Sequence, residues 1–279
     1  IALNALTKIG AKYDDRVIDV ITQHAYSGRD AVNMVQIAEG LVLSEGKDSI
    51  SQEDVEWVVN SGHYLPRPLT RVSSDKIVGA VNGLAVYGPH LGSVMDIEAR
   101  AFPVAKGEGK LVVTGIVEEE EIGQAYGQRL KRKSMARSSL ENVLTVLGSV
   151  LELELSCYHI HINFPGGSPV DGPSAGLALV ALLYSAIKNE PIPNDLAFTG
   201  EVSVRGMVRP VGGVTSKIDA AVRAGVKKVF IPKANYQSYF ASYPLDVISV
   251  TNVEEMLDEV FGKTNYLVAS GSLVTSANG

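Results

Sequence analysis

The chain has 279 residues, of which 46% are hydrophobic and 20% charged, a composition typical of an ordinary globular protein. Its formal net charge of -6 at pH 7 argues against a general nucleic-acid-binding surface, and no apolar stretch reaches the ~18 residues of a membrane span. The single cysteine, Cys157, excludes an internal disulfide and favours a reducing compartment, with a buried thiol expected in a strand-like run. No signal peptide opens the chain, so we expect a cytoplasmic protein, and a first residue other than Met suggests a piece of a longer one.

Residues 1–62 are predicted to form a small helical bundle. Apolar residues recur at helical spacing over residues 14–21, and a second helix is expected over residues 28–42. Ser51 and Asp54 have the spacing of a helix cap for the apolar residues that follow them. Residues 63–74 contain two prolines and are predicted to be a linker.

The helical segment resembles the small C-terminal subdomain of an AAA+ ATPase module. The resemblance implies that Arg29 senses nucleotide, although a solvated charge near a helix N-terminus is the simpler alternative. No complete phosphate-binding loop is present, because Gly109-Lys110 is followed by Leu111. We therefore expect no cofactor in this chain, and ATP with Mg²⁺ in a longer parent.

From residue 77 the pattern changes to short strands separated by turns. β-Branched residues over 78–86, 92–101 and 110–117 alternate with glycines and predict a curved antiparallel sheet. The acidic and basic runs within residues 118–133 predict a solvated mobile loop, with a flap beside a substrate groove as the alternative.

The remaining elements alternate without strict repetition, which predicts an α+β fold rather than a doubly wound sheet. In chain order they are a helix running into a strand over 138–155, a helix over 174–188, a hairpin over 202–211, a helix over 214–224, a strand over 228–232 and a helix over 253–261. Residues 266–279 are small and polar and are expected to be disordered or artificially added.

The most informative motif is Asp171-Gly172-Pro173-Ser174-Ala175-Gly176, which opens an apolar run. Pro173 suits the first helical position and Asp171 can cap the orphan amides, so Ser174 is predicted in the first helical turn. There a serine nucleophile would lie beside the free amides and the positive end of the helix dipole, both of which can stabilise an oxyanion. An ordinary turn before a helix has the same sequence pattern.

A second block supplies a candidate base. Gly212-Gly213-Val214-Thr215-Ser216-Lys217 follows Thr199-Gly200-Glu201 and a predicted hairpin. A lysine base must be neutral, so its pocket has to lower the amine pKa from ~10.4 toward neutrality, and the small and apolar neighbours permit such a pocket.

In content and order these two blocks resemble the proteolytic domain of the Lon family of ATP-dependent proteases. The resemblance implies the Lon protease fold over residues 75–265, a catalytic Ser174–Lys217 dyad and a homo-hexameric ring acting on unfolded or tagged proteins. Lys131-Arg132-Lys133-Ser134 resembles bacterial B-type members, whereas Asp171-Gly172-Pro173-Ser174 departs from the Asp-Ser-Ala-Ser form of archaeal ones.

Supporting roles remain open for several neighbours. Asp171 is an N-cap or a carboxylate that holds the Lys217 amine charged in the resting enzyme. The family resemblance implies that Thr199 orients Lys217 and that Gly172 belongs to the serine turn. Glu201 is expected to pair with an arginine across a subunit boundary rather than to take part in the chemistry.

His159 and His161 alternate along one predicted strand and offer a Ser-His-Asp triad as the rival to the dyad. Asp171, three residues before Ser174, is poorly placed to orient a histidine from the far side, so structural support is the preferred interpretation. A metal site lacks a recognisable third ligand.

Three functions follow from these patterns. The first is the serine endopeptidase part of an ATP-dependent protease, and the second is an ATP-independent peptidase of the same type. The third is a noncatalytic scaffold with the same fold, which the paired serine and lysine disfavour.

Overall fold

The computed structural model describes residues 1–66, 71–87, 91–115, 119–125, 128–133, 135–164 and 172–262. Contacts divide the chain into two units, Ile1–Leu69 and Thr70–Gly279.

The described residues of the first unit form four helices, in agreement with the helical pattern predicted for residues 1–62: α1 (Ala2–Ile9), α2 (Arg16–His24), α3 (Gly28–Glu45) and α4 (Gln52–Ser61). Ser51 and Asp54 form the predicted capping box at the start of α4. Helix α3 runs three residues further than expected, to Glu45, and is capped by Gly46, whose left-handed conformation (φ 69°) suits glycine. The fully buried side chains that join the helices include Leu6, Val17, Ile21, Met34, Val35, Ile50 and Val55.

A seven-stranded mixed sheet forms the centre of the second unit. Its strands are β2 (Ala80–Tyr87), β3 (Leu91–Pro103), β4 (Lys110–Thr114), β7 (Tyr158–Asn163), β9 (Leu196–Phe198), β12 (Lys228–Pro232) and β13 (Asp246–Val250). The spatial order is β13-β12-β9-β2-β3-β7-β4. Short strands form three further pairs: β1 (Lys76–Ile77) with β8 (Ile192–Pro193), β5 (Glu119–Ala125) with β6 (Gln128–Lys133), and β10 (Glu201–Val202) with β11 (Val208–Arg209).

The expectation of an antiparallel sheet holds only in part. Strands β2 and β3 pair antiparallel, but β4 pairs in parallel with β7, and β2, β9, β12 and β13 are all parallel. Strands β9 and β12 are apolar and buried on both faces, as parallel strands generally are. The helix between them in sequence provides the crossover that a parallel pair requires.

Helices cover both faces of this sheet: α5 (Met135–Ser149), α6 (Gly176–Lys188), α7 (Val214–Ala224) and α8 (Val253–Phe261). Phe198 and Phe230 belong to the core that contains α5, α6 and α8. Their strand neighbours Ala197 and Val229 belong to a separate core that contains α7. Since alternate residues of a strand point to opposite faces, α6 and α7 pack on opposite sides of the sheet.

Three local predictions were wrong. The helix expected from residue 138 begins at Met135 and ends at Ser149, and the strand that follows begins only at Tyr158. Cys157 ends a short 3₁₀ turn and is half-buried, so it is not a buried strand thiol. The charged segment expected to be a loop pairs its backbone as the hairpin β5–β6, in a register that places Glu119 opposite Lys133.

Candidate active site

Ser174 lies in a 3₁₀ turn, Gly172–Ala175, that immediately precedes α6. The serine is buried, with 5% of its surface exposed. Gly172 has a φ of 50°, and a Cβ atom there would lie 3.0 Å from the Met135 side chain, so this position favours glycine. The Ser139 hydroxyl of α5 donates to the Pro173 carbonyl at 3.3 Å. The turn is thus fixed by its own glycine and by α5.

The backbone of Gly200 holds the start of α6 in place of a side-chain cap. Its N–H donates to the Ser174 carbonyl at 2.9 Å, and its carbonyl accepts from the Leu177 N–H at 3.0 Å. The N-cap residue of α6 is Ala175, without a side-chain bond, so the predicted helix start at Ser174 was two residues early. In an α-helix that begins at Ser174 the Leu177 N–H would donate to the Pro173 carbonyl, but here it donates to Gly200 instead. Asp171, the predicted cap, lies outside the described residues.

Lys217 lies in the first turn of α7 and is fully buried. Its Nζ donates to the Thr199 hydroxyl at 3.2 Å, and Thr199 is fully buried as well. The Thr199 N–H in turn donates to the Phe230 carbonyl of β12 at 3.0 Å.

One dipeptide therefore contacts both predicted catalytic residues. Thr199 accepts the bond from the Lys217 amine, and its neighbour Gly200 is bonded to the Ser174 backbone. The dipeptide follows β9 directly, where Leu196–Phe198 ends, so a buried strand of the sheet carries it. Ser174 and Lys217, 43 residues apart in sequence, are thus bonded to adjacent residues at the end of this strand, Ser174 to the Gly200 backbone and Lys217 to the Thr199 hydroxyl.

The Lon protease C-terminal proteolytic domain model matches residues 49–263 of the chain. The chain belongs to the Lon protease family. Lon protease 2 of Bacillus subtilis is 45% identical over 261 residues, which are 93% of this chain and 47% of that protein. The archaeal Lon proteases of Pyrococcus abyssi and Thermococcus kodakarensis are each 34% identical over 82% of this chain, which spans 23% and 37% of their lengths. The resemblance inferred from the two sequence blocks is confirmed, and this chain spans less than half of each of these Lon relatives.

Two other residues singled out in the sequence, Glu201 and Arg29, lie in different surroundings. Glu201 is half-buried in β10, directly opposite Arg209 of the same chain in the hairpin register, and its pairing across a subunit boundary stays a prediction. Arg29 is exposed in the first turn of α3, and its nucleotide-sensing role stays a prediction.

Both histidines lie on β7, and a structural role for them stays a prediction. His161 is exposed, and its Nε2 lies 3.3 Å from the Thr114 hydroxyl on β4. The buried Nδ1 of His159 has no hydrogen-bond partner within the part of the chain that the structure describes. The same described part contains no group of three or more His, Cys, Asp or Glu residues that could hold a metal ion, and no helix long and apolar enough to cross a membrane.

Sequence reasoning missed two polar side chains that support the Lon site. Ser139 fastens the serine turn to α5, and Asn235 binds the backbone of Val211 ahead of α7. Each acts on backbone 24 to 34 residues away, so no local pattern marks either one.

Two adjacent glycines before α7 provide a matched test of the backbone that carries Lys217. Gly213 has a φ of 67°, and a Cβ atom there would lie 2.6 Å from the Val86 side chain, whereas a Cβ at Gly212 would meet open space. Gly213→Ala should lower the free energy of unfolding by about 2 kcal/mol, because a left-handed conformation strains any residue with a Cβ.

Gly212→Ala should change the free energy of unfolding by less than about 0.5 kcal/mol. Urea denaturation of both variants measures the difference. Equal destabilisation by the two alanines would show that the left-handed start of α7 is unimportant.

Proposed function

We propose that this chain is the proteolytic part of a Lon-type serine endopeptidase in which Ser174 is the nucleophile and Lys217 the general base. The observation that carries the proposal is the attachment of both residues to Thr199 and Gly200. Burial of Lys217 supports its role, because a fully buried ammonium bears a high desolvation cost and the neutral amine can accept a proton.

The proposed reaction begins when the Ser174 hydroxyl attacks the scissile carbonyl carbon and its proton passes to the Lys217 amine. The resulting ammonium then returns the proton to the leaving amine, and the acyl-enzyme is hydrolysed by water activated in the same way. Thr199 holds the Lys217 side chain in one orientation throughout the catalytic cycle. The Leu177 amide is not a candidate for binding the oxyanion, since it donates to the Gly200 carbonyl.

The proposed substrates are unfolded or tagged proteins, and the proposed setting is a longer cytoplasmic protein whose ATPase part binds ATP and Mg²⁺. An ATP-independent peptidase is the alternative, and a noncatalytic scaffold is disfavoured by the buried lysine bonded to Thr199. The test is cleavage of unfolded casein and of a short peptide by the 279-residue chain and by its full-length parent, each with and without ATP. The proposal is supported if both proteins cleave the peptide without ATP and if ATP stimulates casein cleavage by the full-length parent but not by the 279-residue chain.

We further propose that the chain assembles into a hexameric ring through the β10–β11 hairpin. Val204, Arg205 and Met207 are exposed at the tip of this hairpin. A head-to-tail ring needs two different patches on each subunit, and an exposed tip with apolar and cationic side chains is suited to be one of them.

Charge reversal at the tip tests this assembly. Arg205→Glu should weaken the ring and lower peptidase activity together, as measured by sedimentation velocity and peptide cleavage in the same samples. Lys188→Glu, an equal charge change at an exposed position at the end of α6, serves as the control. A wild-type chain that stays monomeric at tens of micromolar yet cleaves peptide at full rate would contradict the ring.

A further inference from the structure

Residues 235–243 lie alongside residues 211–219, the loop and first helical turns that carry Lys217. Three side-chain contacts join the two segments, and each spans 24 residues of sequence. The contacts are Asn235 with the Val211 backbone, the Tyr239 hydroxyl with the Thr215 hydroxyl at 2.9 Å, and the Tyr243 hydroxyl with Asp219 Oδ1 at 2.9 Å. Between them Phe240 is buried, with 1% of its surface exposed.

Asn235 makes the most complete of these contacts. Its Oδ1 accepts from the Val211 N–H at 2.8 Å, and its Nδ2 donates to the Val211 carbonyl at 3.0 Å. An amide side chain that bonds both the backbone N–H and the backbone carbonyl of one residue holds that residue as a neighbouring β-strand would. Helix α7 starts three residues later at Val214, and its N-cap Gly213 has no side chain to bond the first amides. The Asn235 side chain therefore anchors the backbone that leads into α7, three residues ahead of the first helical residue.

Strand β12 connects this anchor to the partner of Lys217. Asn235 lies three residues beyond the end of β12, and the Phe230 carbonyl within β12 accepts the bond from the Thr199 N–H. Both ends of the Lys217–Thr199 hydrogen bond are consequently attached to β12, one through Phe230 and the other through Asn235, Val211 and α7. The position of the buried Lys217 amine relative to Thr199 therefore depends on the hydrogen bonds that both residues share with β12.

We infer that Asn235 is a positioning residue for the general base: it fixes the start of α7 and thereby holds the Lys217 amine against Thr199. The inference rests on the proposed Ser174–Lys217 dyad. Because Asn235 acts on the backbone ahead of the helix and does not touch the reacting atoms, its loss alters the chemical step and leaves peptide binding unchanged.

Steady-state peptide cleavage by Asn235→Ala tests this role in the 279-residue chain. We expect kcat to fall by about 10- to 100-fold while KM stays within about twofold, because a base displaced by about 1 Å slows proton transfer without affecting binding. Asn235→Asp keeps the acceptor for the Val211 N–H and loses the donor, so its kcat should lie between those of the wild type and Asn235→Ala. It also serves as the second variant if the alanine protein does not fold, as judged by circular dichroism.

Asn252→Ala is the matched control. Asn252 also uses its side chain on backbone at a helix start, accepting from the Glu255 N–H at 2.8 Å, but it caps α8 rather than α7. Its removal should leave kcat near the wild-type value. A wild-type kcat in folded Asn235→Ala or Asn235→Asp, or an equal fall in Asn252→Ala, would overturn the inference while Ser174→Ala remains inactive. Full activity in Ser174→Ala would instead show that the dyad is wrong, and the inference with it.

Discussion

Ser174→Ala will abolish peptide cleavage, lowering kcat by about 10³-fold or more, because the nucleophilic hydroxyl is the only group removed. The backbone that shapes the turn is kept: the Ser174 carbonyl still accepts from Gly200, and the Pro173 carbonyl still accepts from Ser139. The fold should therefore survive, with the unfolding midpoint in urea close to that of the wild type. Peptide hydrolysis and urea denaturation measured on the same preparation check both statements.

Ser185→Ala provides a matched control for this loss. Ser185 is also a buried serine of the α6 segment, and its hydroxyl accepts from the Gly79 N–H and donates to the Glu190 carbonyl. Removing that hydroxyl should lower the free energy of unfolding by about 1–3 kcal/mol, because a buried N–H and a carbonyl lose their partner, and should leave kcat unchanged. If Ser174→Ala cleaved peptide like the wild type, the nucleophile would have to be another residue.

Replacement of Lys217 is expected to have the second large effect, and the choice of substituent separates a base from a mere positive charge. Lys217→Arg keeps a cation that does not deprotonate near neutral pH, whereas a general base must accept a proton. Lys217→Arg, Lys217→Ala and Lys217→Met should therefore all lower kcat by about 10²- to 10⁴-fold.

The three variants should differ in stability even though they share the loss of activity. Lys217 is fully buried, so alanine leaves a cavity, arginine overpacks the same space, and methionine fills nearly the same volume without a buried amine. Lys217→Met should be the most stable of the three, and Lys188→Met at an exposed position should change neither activity nor stability. Substantial peptidase activity in Lys217→Arg would mean that Lys217 acts only through its charge.

Helix positions in this chain are largely determined by nearby residues and were predictable for that reason. The segment of α7 is delimited by left-handed glycines, Gly213 before it and Gly225 after it, and α8 begins at Asn252, whose side chain caps the helix. The capping box of Ser51 and Asp54 belongs to the same class of local signals. Ser174 and Lys217 were put forward as candidate catalytic residues because the two blocks that contain them resemble the Lon family, and their roles stay a prediction.

Features that depend on distant partners were not predictable from local patterns. The start of α6 shifted to Gly176 because the backbone of Gly200, far along the chain, bonds the Leu177 amide. The parallel pairing of β4 with β7 and the bonds from Asn235 to Val211 likewise join segments separated by 24 residues or more. No single segment contains the information for such pairings, since they follow from the packing of the whole sheet.

Mass mapping of a serine-directed fluorophosphonate tests the central claim most directly, because it reports both the nucleophile and its activation. Wild-type protein, Lys217→Met and Ser185→Ala would be labelled under identical conditions, and the modified peptide would be identified and its rate of formation measured. The account predicts that the label lies on Ser174 in the wild type and in Ser185→Ala, at equal rates, and that labelling is slower by about 10²-fold or more in Lys217→Met. Labelling of a residue other than Ser174, or labelling of Ser174 at the wild-type rate without Lys217, would contradict it.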